Sequence, residues 1–365
     1  MSTQGWLRRR VAATRAAWHG RSHRHRRWRW RRISVTLLLI VCTLLTPIGA
    51  AAAYLRLQDA GTPAASARTR GRDAVWLGHA WVDGRKTEAD IAQLGVLLSG
   101  TGIKDLYVHT GPLAHDGTLP PELYPQARWF VETVHRLLPG IRVQSWLGDV
   151  LAPEFDGLNL DDAATRDRMV TAANQVLDLG FDGIHFDLEP VRSGAAGFLT
   201  LLDRVRPVTA AREALLSVSA PVIDPLPGLH LLGLALADHG KWWSQAYFAS
   251  VARRVDQIAM MSYDTAMPTG SLYGGYVAQQ TRLALQVTPP QVDLLLGVPA
   301  FWADDLGHHG AAETVASAVR GVRLGLGRTA LDRRTFGVAL YVDFAATPAD
   351  WAAYRRDWGG LTRPE

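Results

Sequence analysis

Short apolar runs alternate with longer amphipathic segments along the chain beyond about residue 73. The short runs are rich in Val, Ile, Leu, Phe and Tyr and are bounded by Gly, Pro or Asp, a pattern typical of strands. The runs are Ala74–Val82, Ile103–His109, Ile141–Leu147, Phe181–Glu189, Leu215–Val222, Gln257–Tyr263, Asp293–Pro299 and Phe336–Phe344. Because they are almost continuously apolar, they predict a parallel sheet that is covered by helices.

The segments between the predicted strands carry apolar residues at the spacing of a helix that covers a sheet. They are Thr87–Leu98, Gln126–Leu138, Ala163–Leu179, Ala195–Val205, Ser244–Val255, Tyr276–Val287, Ala312–Leu324 and Pro348–Trp358. Eight strand–helix units in roughly 290 residues predict an α/β fold, a closed (β/α)8 TIM barrel. An open, doubly wound sheet is the alternative, but no Gly-rich phosphate-binding loop follows the first strand, which weighs against it.

The first 72 residues divide into three segments of different composition. Residues 1–32 contain eleven arginines and no acidic residue, whereas residues 33–55 contain no charge. This uncharged stretch can cross a hydrocarbon layer of about 30 Å as a helix. Residues 56–72 are small and polar, which predicts a flexible linker. The sequence therefore predicts a basic cytoplasmic tail at residues 1–32, a transmembrane helix or signal anchor at 33–55, a linker at 56–72 and a (β/α)8 barrel domain at 73–365.

The basic tail also predicts an orientation in the membrane. Arginine-rich flanks remain on the cytoplasmic side, so everything after residue 55 should lie outside. We therefore expect a single-pass protein of the cell membrane with its barrel outside the cytoplasm. A cleaved signal peptide is the alternative, supported by the small residues at 49–53, and it would give a secreted barrel.

Charge and cysteine content narrow the class of protein further. The chain has 39 Lys and Arg and 34 Asp and Glu, but without the eleven tail arginines 28 basic residues stand against 34 acidic ones. Nucleic-acid-binding domains normally present a basic face, so no nucleic-acid partner is predicted. Cys42, the only cysteine, lies in the uncharged stretch, so the barrel must be held by its core without a disulfide.

The fourth apolar run carries three ionisable residues on one face. Side chains alternate along a strand, so His185, Asp187 and Glu189 point to one side and the apolar residues between them point to the other. The ionisable set would line the barrel and approach its C-terminal mouth, where barrel enzymes have their sites. Like charges at this spacing raise the pKa of a carboxyl group, as a general acid near neutral pH requires.

This run resembles the signature strand of glycoside hydrolase family 18, the chitinase-like enzymes, whose pattern is Asp-Gly-x-Asp-x-Asp-x-Glu. The chain matches that pattern at Asp182, Gly183, Asp187 and Glu189. The sixth run contains Met261-Ser262-Tyr263-Asp264, which is similar to the Met-x-Tyr-Asp strand of the same family. The order of the strands also agrees, so the resemblance covers most of the chain from residue 74 on.

The resemblance implies substrate-assisted retention, a route outside the usual two-carboxylate scheme. Glu189 would protonate the glycosidic oxygen while the N-acetyl oxygen of the substrate attacks the anomeric carbon. Asp187 would orient the acetamide and stabilise the cationic intermediate. Tyr263 would donate a hydrogen bond to the acetamide, and Asp264 would line the pocket. Water would then open the intermediate with Glu189 as the base.

Two positions depart from the family pattern. His185 stands where the family has its middle aspartate, which normally shares a proton with the next one. His185 must therefore replace it as a proton partner, or the chemistry is altered. Tyr341, in the eighth run, stands where the family usually has a tryptophan under the sugar. We therefore expect a divergent glycosidase for a cell-wall or extracellular glycan rather than a typical chitinase.

Three tryptophans near the predicted strand ends are candidate sugar-binding residues, because sugar rings offer apolar faces that stack on aromatic side chains. Trp81, Trp146 and Trp302 lie near the ends of the first, third and seventh runs. Packing at the top of the barrel is the alternative for each of them. His308 and His309 lie in a Gly-rich loop, which predicts that both are exposed.

The sequence thus predicts an extracytoplasmic glycosidase that hydrolyses a β-linked N-acetylhexosamine-containing glycan, such as a polysaccharide or a peptidoglycan-type glycan, without a metal or other cofactor. A carbohydrate-binding barrel that has lost catalysis through His185 is one alternative. A metal-dependent barrel hydrolase is another, although alternate residues on one strand rarely supply three ligands to one ion.

Overall fold

The structure is a computed structural model and describes residues 46–231 and 241–360. The chain divides into two units, Met1–Tyr54 and Leu55–Glu365. The described residues of the first unit, 46–54, are helical. The second unit contains a closed barrel of eight parallel strands with helices between them.

The predicted basic tail, residues 1–32, and most of the predicted membrane span lie outside the described residues. Within the described ranges, none of the helices combines the length and the apolar character needed to cross a membrane. The transmembrane helix therefore stays a prediction from the sequence.

The eight strands are hydrogen-bonded in sequence order, and the eighth returns to the first. They are β1 (Asp73–Leu77), β2 (Ile103–His109), β3 (Arg142–Val150), β4 (Gly183–Glu189), β5 (Leu215–Ala220), β6 (Gln257–Met261), β7 (Asp293–Pro299) and β8 (Phe336–Tyr341). Ala74 pairs with Ala339 and Val75 with Leu340, which closes the ring. The predicted barrel is confirmed, and the open doubly wound alternative is wrong.

Helices follow the strands in order and cover the outer face of the barrel. They are α1 (Glu88–Leu98), α2 (Ala127–Leu137), α3 (Ala163–Leu177), α4 (Ala196–Ala210), α5 (Gln245–Ala252), α6 (Gly270–Val287), α7 (Val315–Thr329) and α8 (Pro348–Asp357). Side chains that bond free backbone N–H groups define several of the starts. Thr87 and Thr347 each form a capping box with the aspartate three residues later, and Asp162 caps α3.

The lower end of the barrel is closed by a buried polar network. Gln144 Nε2 donates to Asp105 Oδ1 at 2.9 Å and to Gln257 Oε1 at 3.0 Å. The Tyr107 hydroxyl donates to the same Gln257 oxygen at 2.6 Å. These buried side chains fill the base of the barrel and bond one another there, although Gln144 Oε1 has no partner among the described residues.

The segment predicted as a flexible linker contacts the outer helices of the barrel in this structure. Arg320 Nη2 donates to the Asp59 carbonyl at 2.6 Å, and Arg323 Nε donates to the Ala67 carbonyl at 2.8 Å. Arg68 Nη1 donates to the carbonyl of Arg356 at 3.0 Å. Arginines along α7 thus satisfy backbone carbonyls of a segment in which Ala67 is fully buried.

Candidate active site

The inner face of β4 rises from a buried to an open environment. His185 is fully buried, Asp187 is half-buried and Glu189 is exposed at the mouth. Ile184 and Phe186, on the other face, are buried. The alternation predicted from the sequence therefore sets the three ionisable groups at three depths of one lumen.

His185 is enclosed by donors, acceptors and an aromatic ring. Its Nε2 atom lies 3.2 Å from Trp76 Nε1 and 3.0 Å from Ser219 Oγ, while its Nδ1 atom lies 2.6 Å from Ser217 Oγ. The Trp76 indole can only donate, so Nε2 accepts and Nδ1 carries the proton that is donated to Ser217. The ring stacks on Tyr107 with centroids 3.8 Å apart. Burial lowers the pKa of His185 to about 3, so the imidazole is neutral.

Asp187 is held from the neighbouring strand by Trp146. The indole Nε1 donates to Asp187 Oδ2 at 2.9 Å. Gly148 pairs with Asp187 in the register between β3 and β4, and a Cβ there would meet the Asp187 carbonyl at 3.1 Å and Trp146 Nε1 at 3.4 Å. His109 packs edge-on against the same indole, with centroids 4.6 Å apart. The missing side chain at position 148 therefore lets the indole lie against the carboxylate.

The Asp187 and Glu189 carboxyls act on each other. Burial, and second the negative charge of Asp187, raise the pKa of Glu189 well above its usual value. Burial also raises the pKa of Asp187, but hydrogen bonds from neighbours that include Glu189 and Trp146 oppose this rise. Glu189 has accessible surface at the mouth, yet protein walls surround it on the other sides. Glu189 is therefore the carboxyl that retains a proton, and Asp187 is the one that ionises.

A pocket of about 420 Å³ opens above this pair. Tyr263, Asp264 and Tyr341 border it together with Asp187 and Glu189, so the structure brings five of the predicted site residues together. The rings of Tyr263 and Tyr341 stack at 5.3 Å with 20° between their planes. Burial raises the pKa of Tyr263 well above its usual value, so its hydroxyl remains a donor.

Lys241 also borders the pocket and was missed by the sequence reasoning. Its ammonium donates to the Asp264 carbonyl at 2.8 Å, and burial lowers its pKa. It stands in an irregular segment before α5, where neither strand nor helix periodicity marks it. The pocket wall thus contains a cation beside its carboxylates.

A second group of ionisable residues lies behind Asp264. His308 Nδ1 is 2.8 Å from Asp264 Oδ1 and 3.6 Å from Glu313 Oε2. Both His308 and Glu313 are buried, so the prediction that His308 is exposed is wrong. Burial raises the pKa of Glu313, and the hydrogen bonds that it accepts from Thr265 oppose that rise. The three residues could each offer one ligand atom to a metal ion, since these atoms lie within 4.8 Å of one another.

None of the three predicted tryptophans is among the residues that line this pocket, although Trp146 bonds Asp187 from the neighbouring strand. Trp81 lies in a short 3₁₀ turn after β1, where its Nε1 donates to Asp343 Oδ2 at 2.7 Å. It lines a separate cavity of about 680 Å³ that is larger but lacks Asp187 and Glu189. Trp302, in the loop after β7, is 72% exposed.

The first strand, β1, ends at Leu77, earlier than the sequence predicts. Asp343 accepts a hydrogen bond from the Gly78 N–H, so this backbone group pairs with a side chain and not with a neighbouring strand.

Comparison with known proteins shows that solved structures share the fold of this barrel. No protein-family model and no curated protein sequence matches the chain. The barrel is similar to the spore cortex-lytic enzyme SleL of Bacillus megaterium QM B1551, with a TM-score of 0.55 at 12% identity over 81% of this chain and 76% of that one. It is also similar to a family GH18 chitinase of Cycas revoluta, solved in a complex with allosamidin, with a TM-score of 0.54 at 14% identity over 79% and 99% of the two chains.

A third similar structure is the GH18 chitinase ChiB from the chitin utilization locus of Flavobacterium johnsoniae. Its TM-score is 0.50 at 15% identity, over 80% of this chain and 94% of that one. At these identities the likeness shows a common architecture, the chitinase-like (β/α)8 barrel. The chemistry of this chain must therefore be argued from its own pocket.

Proposed function

We propose that this chain is a divergent, chitinase-like glycosidase that cleaves a β-linked N-acetylhexosamine glycan with retention of configuration. The observation that carries the proposal is the carboxyl pair at the floor of the pocket. Glu189 keeps a proton because it is walled in beside Asp187, which is the state that a general acid needs. The likeness of the barrel to chitinases and to a spore cortex-lytic enzyme supports the same reaction class.

In the proposed reaction the substrate supplies its own nucleophile. Glu189 gives its proton to the glycosidic oxygen, and the acetamide oxygen closes on the anomeric carbon to form a cyclic cation. Ionised Asp187 lies where it can accept from the acetamide N–H and offset the positive charge. Its Oδ1 atom is buried and has no hydrogen-bond partner among the described residues. Water then opens the ring, and Glu189 takes back a proton.

The remaining pocket residues would hold the sugar. Tyr263 has a protonated hydroxyl that can donate to the acetamide oxygen. Tyr341 offers an aromatic face at the position where the family has a larger indole, which suits a bulkier or differently substituted sugar. Asp264 and Lys241 give the wall one negative and one positive group. A substituted cell-wall glycan is therefore a better candidate substrate than plain chitin.

The location of this reaction is part of the proposal. The eleven arginines of residues 1–32 before the uncharged stretch 33–55 favour a barrel outside the cytoplasm. A reporter enzyme that is active only outside the cytoplasm, fused after residue 365, should be active. An inactive reporter, together with an active fusion of a cytoplasmic reporter, would contradict this location.

The proposal is tested with Glu189→Gln, which keeps the shape of the side chain and removes the transferable proton. The wild type should cleave chitooligosaccharides or peptidoglycan fragments and release the β anomer first, as seen by NMR of fresh product. The variant should lose about 10²- to 10⁴-fold in kcat, the usual contribution of a general acid. Glu132→Gln, on the exposed surface of α2, is the matched control and should keep full activity.

A non-catalytic carbohydrate-binding barrel is the second candidate, and one observation favours it. His185 is neutral and fully bonded to Trp76, Ser217 and Ser219, so it cannot pass a proton to Asp187 as a carboxyl could. Binding of these glycans by the wild type in calorimetry, with no product after prolonged incubation, would establish this candidate instead.

A further inference from the structure

We propose that His308 is a positioning residue that fixes the Asp264 carboxylate on the wall of the catalytic pocket, and that Glu313 supports it from behind. The inference rests on the proposed function, because Asp264 matters as part of a catalytic pocket. It concerns two residues that the chitinase-like motifs do not include. Three features of the structure carry it.

The first feature is that Asp264 has few restraints of its own. It follows β6 in the left-handed region, with φ of 55°, and its side chain is 55% exposed. A half-exposed carboxylate on an irregular segment would turn freely toward water. The hydrogen bond that its Oδ1 atom accepts from His308 Nδ1 at 2.8 Å, and the bond from Lys241 to its carbonyl at 2.8 Å, hold it in place.

The second feature is that the surroundings of His308 hold its ring so that Nδ1 donates to Asp264 Oδ1. Its side chain is 2% exposed, and its ring packs against Phe301 with centroids 4.4 Å apart. Its backbone N–H is fixed by Asp305 Oδ1 at 2.9 Å. Its Nε2 atom is buried without a partner among the described residues. A proton on Nδ1 leaves only a lone pair unsatisfied, which costs less than an unpaired N–H group.

The third feature is that Glu313 supports both partners of the contact between Asp264 and His308. Its two carboxylate oxygens accept from the Thr265 N–H at 3.0 and 3.2 Å, and one also accepts from the Thr265 hydroxyl at 3.1 Å. Thr265 follows Asp264 in the chain, so these bonds fix the backbone beside it. The other side of the same carboxylate faces His308 Nδ1 at 3.6 Å.

The consequence for the reaction is electrostatic. The charge of Asp264 adds to burial and to Asp187 in raising the pKa of Glu189. Removing the donor on His308 frees the Asp264 side chain to leave the pocket. The loss of its charge from the pocket wall lowers the pKa of Glu189, so the alkaline limb of the pH–rate profile should move to lower pH.

The ionisable groups around His308 all bear on the expected shift of the pH–rate profile. Asp264 and Glu313 face its Nδ1 atom, and Asp305 holds its backbone. Lys241 reaches the same segment through the Asp264 carbonyl. His309 pairs instead with Asp304 at 3.4 Å, and its side chain is 38% exposed.

The test compares two substitutions at one position. Asn places its amide nitrogen where the Nδ1 atom of histidine lies, whereas Leu fills the space without a donor. We expect His308→Leu to lower kcat/KM about tenfold and to shift the alkaline limb downward, in line with one lost bond to a charged group. His308→Asn should recover most of the activity and the original limb. His309→Leu is the control and should behave as wild type.

A second readout separates this inference from the proposed function. In crystal structures, the Asp264 carboxylate should keep its position in wild type and His308→Asn, and should leave it or occupy several positions in His308→Leu. This result would uphold the positioning role even if the wild type cleaved none of the glycans. An Asp264 carboxylate that keeps its position in folded His308→Leu protein, or loss of wild-type activity on chelation, would overturn it, the latter in favour of a bound cation.

Discussion

Two levels of the same barrel treat ionisable groups in opposite ways. Around His185, every polar atom of the ring has a partner, and the side chains are closed to solvent. Asp187 and Glu189 lie two and four residues further along the same strand. There the carboxyl groups lie close together beside an open pocket, and the pKa of each depends on the other. The lower level stabilises the neutral form of its ionisable group, whereas the upper level keeps a charge and a proton ready for transfer.

The difference teaches where to look for chemistry in a barrel. Full hydrogen bonding makes a buried group inert, because any change of protonation would leave a partner unsatisfied. An incompletely satisfied carboxyl at a pocket floor remains available to a substrate. The departure of His185 from the family pattern therefore falls in the inert level, and the groups that the proposed reaction needs remain in the reactive one.

The largest expected effect comes from removing the charge at the upper level. Asp187→Asn keeps the shape of the side chain but cannot offset the cationic intermediate, so kcat should fall about 10²- to 10³-fold. The pKa of Glu189 should also fall, because the repulsion that raises it is lost. The pH–rate profile of glycan hydrolysis checks both effects.

Asp167→Asn, an exposed carboxylate on α3, is the control and should leave the profile unchanged. An Asp187→Asn enzyme with wild-type kcat would mean that the upper level is no more reactive than the lower one.

A smaller effect is expected when the support of the reactive carboxylate is removed. Trp146→Phe keeps an aromatic ring but deletes the N–H group that bonds Asp187 Oδ2 at 2.9 Å. The pKa of Asp187 should rise, and kcat should fall about tenfold, as for one bond to a charged group.

A double-mutant cycle with Asp187→Asn sharpens this prediction. The Trp146 substitution should cost much less once the charge is gone, since the two residues act through one contact. Strictly additive losses would show that Trp146 acts on the sugar instead, as a platform.

The fold was predictable because it depends on patterns that repeat along the chain. Ile103–His109 and Asp293–Pro299 have the predicted bounds, and each contains a run of three apolar residues at its centre. The first, fifth, sixth and eighth strands end earlier than predicted. A contact distant in sequence, that of Asp343 with the Gly78 N–H, bends the chain after β1, and periodicity carries no information about such contacts.

The site was predictable only where it follows a strand. Asp187, Glu189, Tyr263 and Tyr341 fall on or just beyond strands, so alternation and order placed them at one mouth. Lys241, His308 and Glu313 come from loops, and only the closed barrel brings them to Asp264. The Gly-rich segment around His308 predicts an exposed side chain. The sequence does not show that Asp264, from the loop after β6, and Glu313 lie against this histidine in the folded barrel.

The smallest expected effect concerns the stability of the inert level. The pKa of His185 is about 3 in the folded barrel against 6.5 for a free histidine, so the unfolded chain binds a proton first as the pH falls. The contribution of His185 is therefore complete above pH 6.5 and is lost progressively between pH 6.5 and 3, by about 1.4 kcal/mol per pH unit. Buried carboxyls such as Asp73, whose pKa is raised to about 7, change stability in the opposite direction.

A comparison with His185→Asn separates the histidine from those carboxyls. Asparagine can still donate to Ser217 but has no basic nitrogen, so the variant keeps every other titrating group. Its free energy of unfolding should be lower than that of the wild type at pH 7.5, because the stack on Tyr107 is lost. The deficit should shrink by about 2 kcal/mol at pH 5, measured by urea denaturation. A constant deficit would mean that His185 exchanges protons as readily as the carboxyls above it, and the contrast between the two levels would not hold.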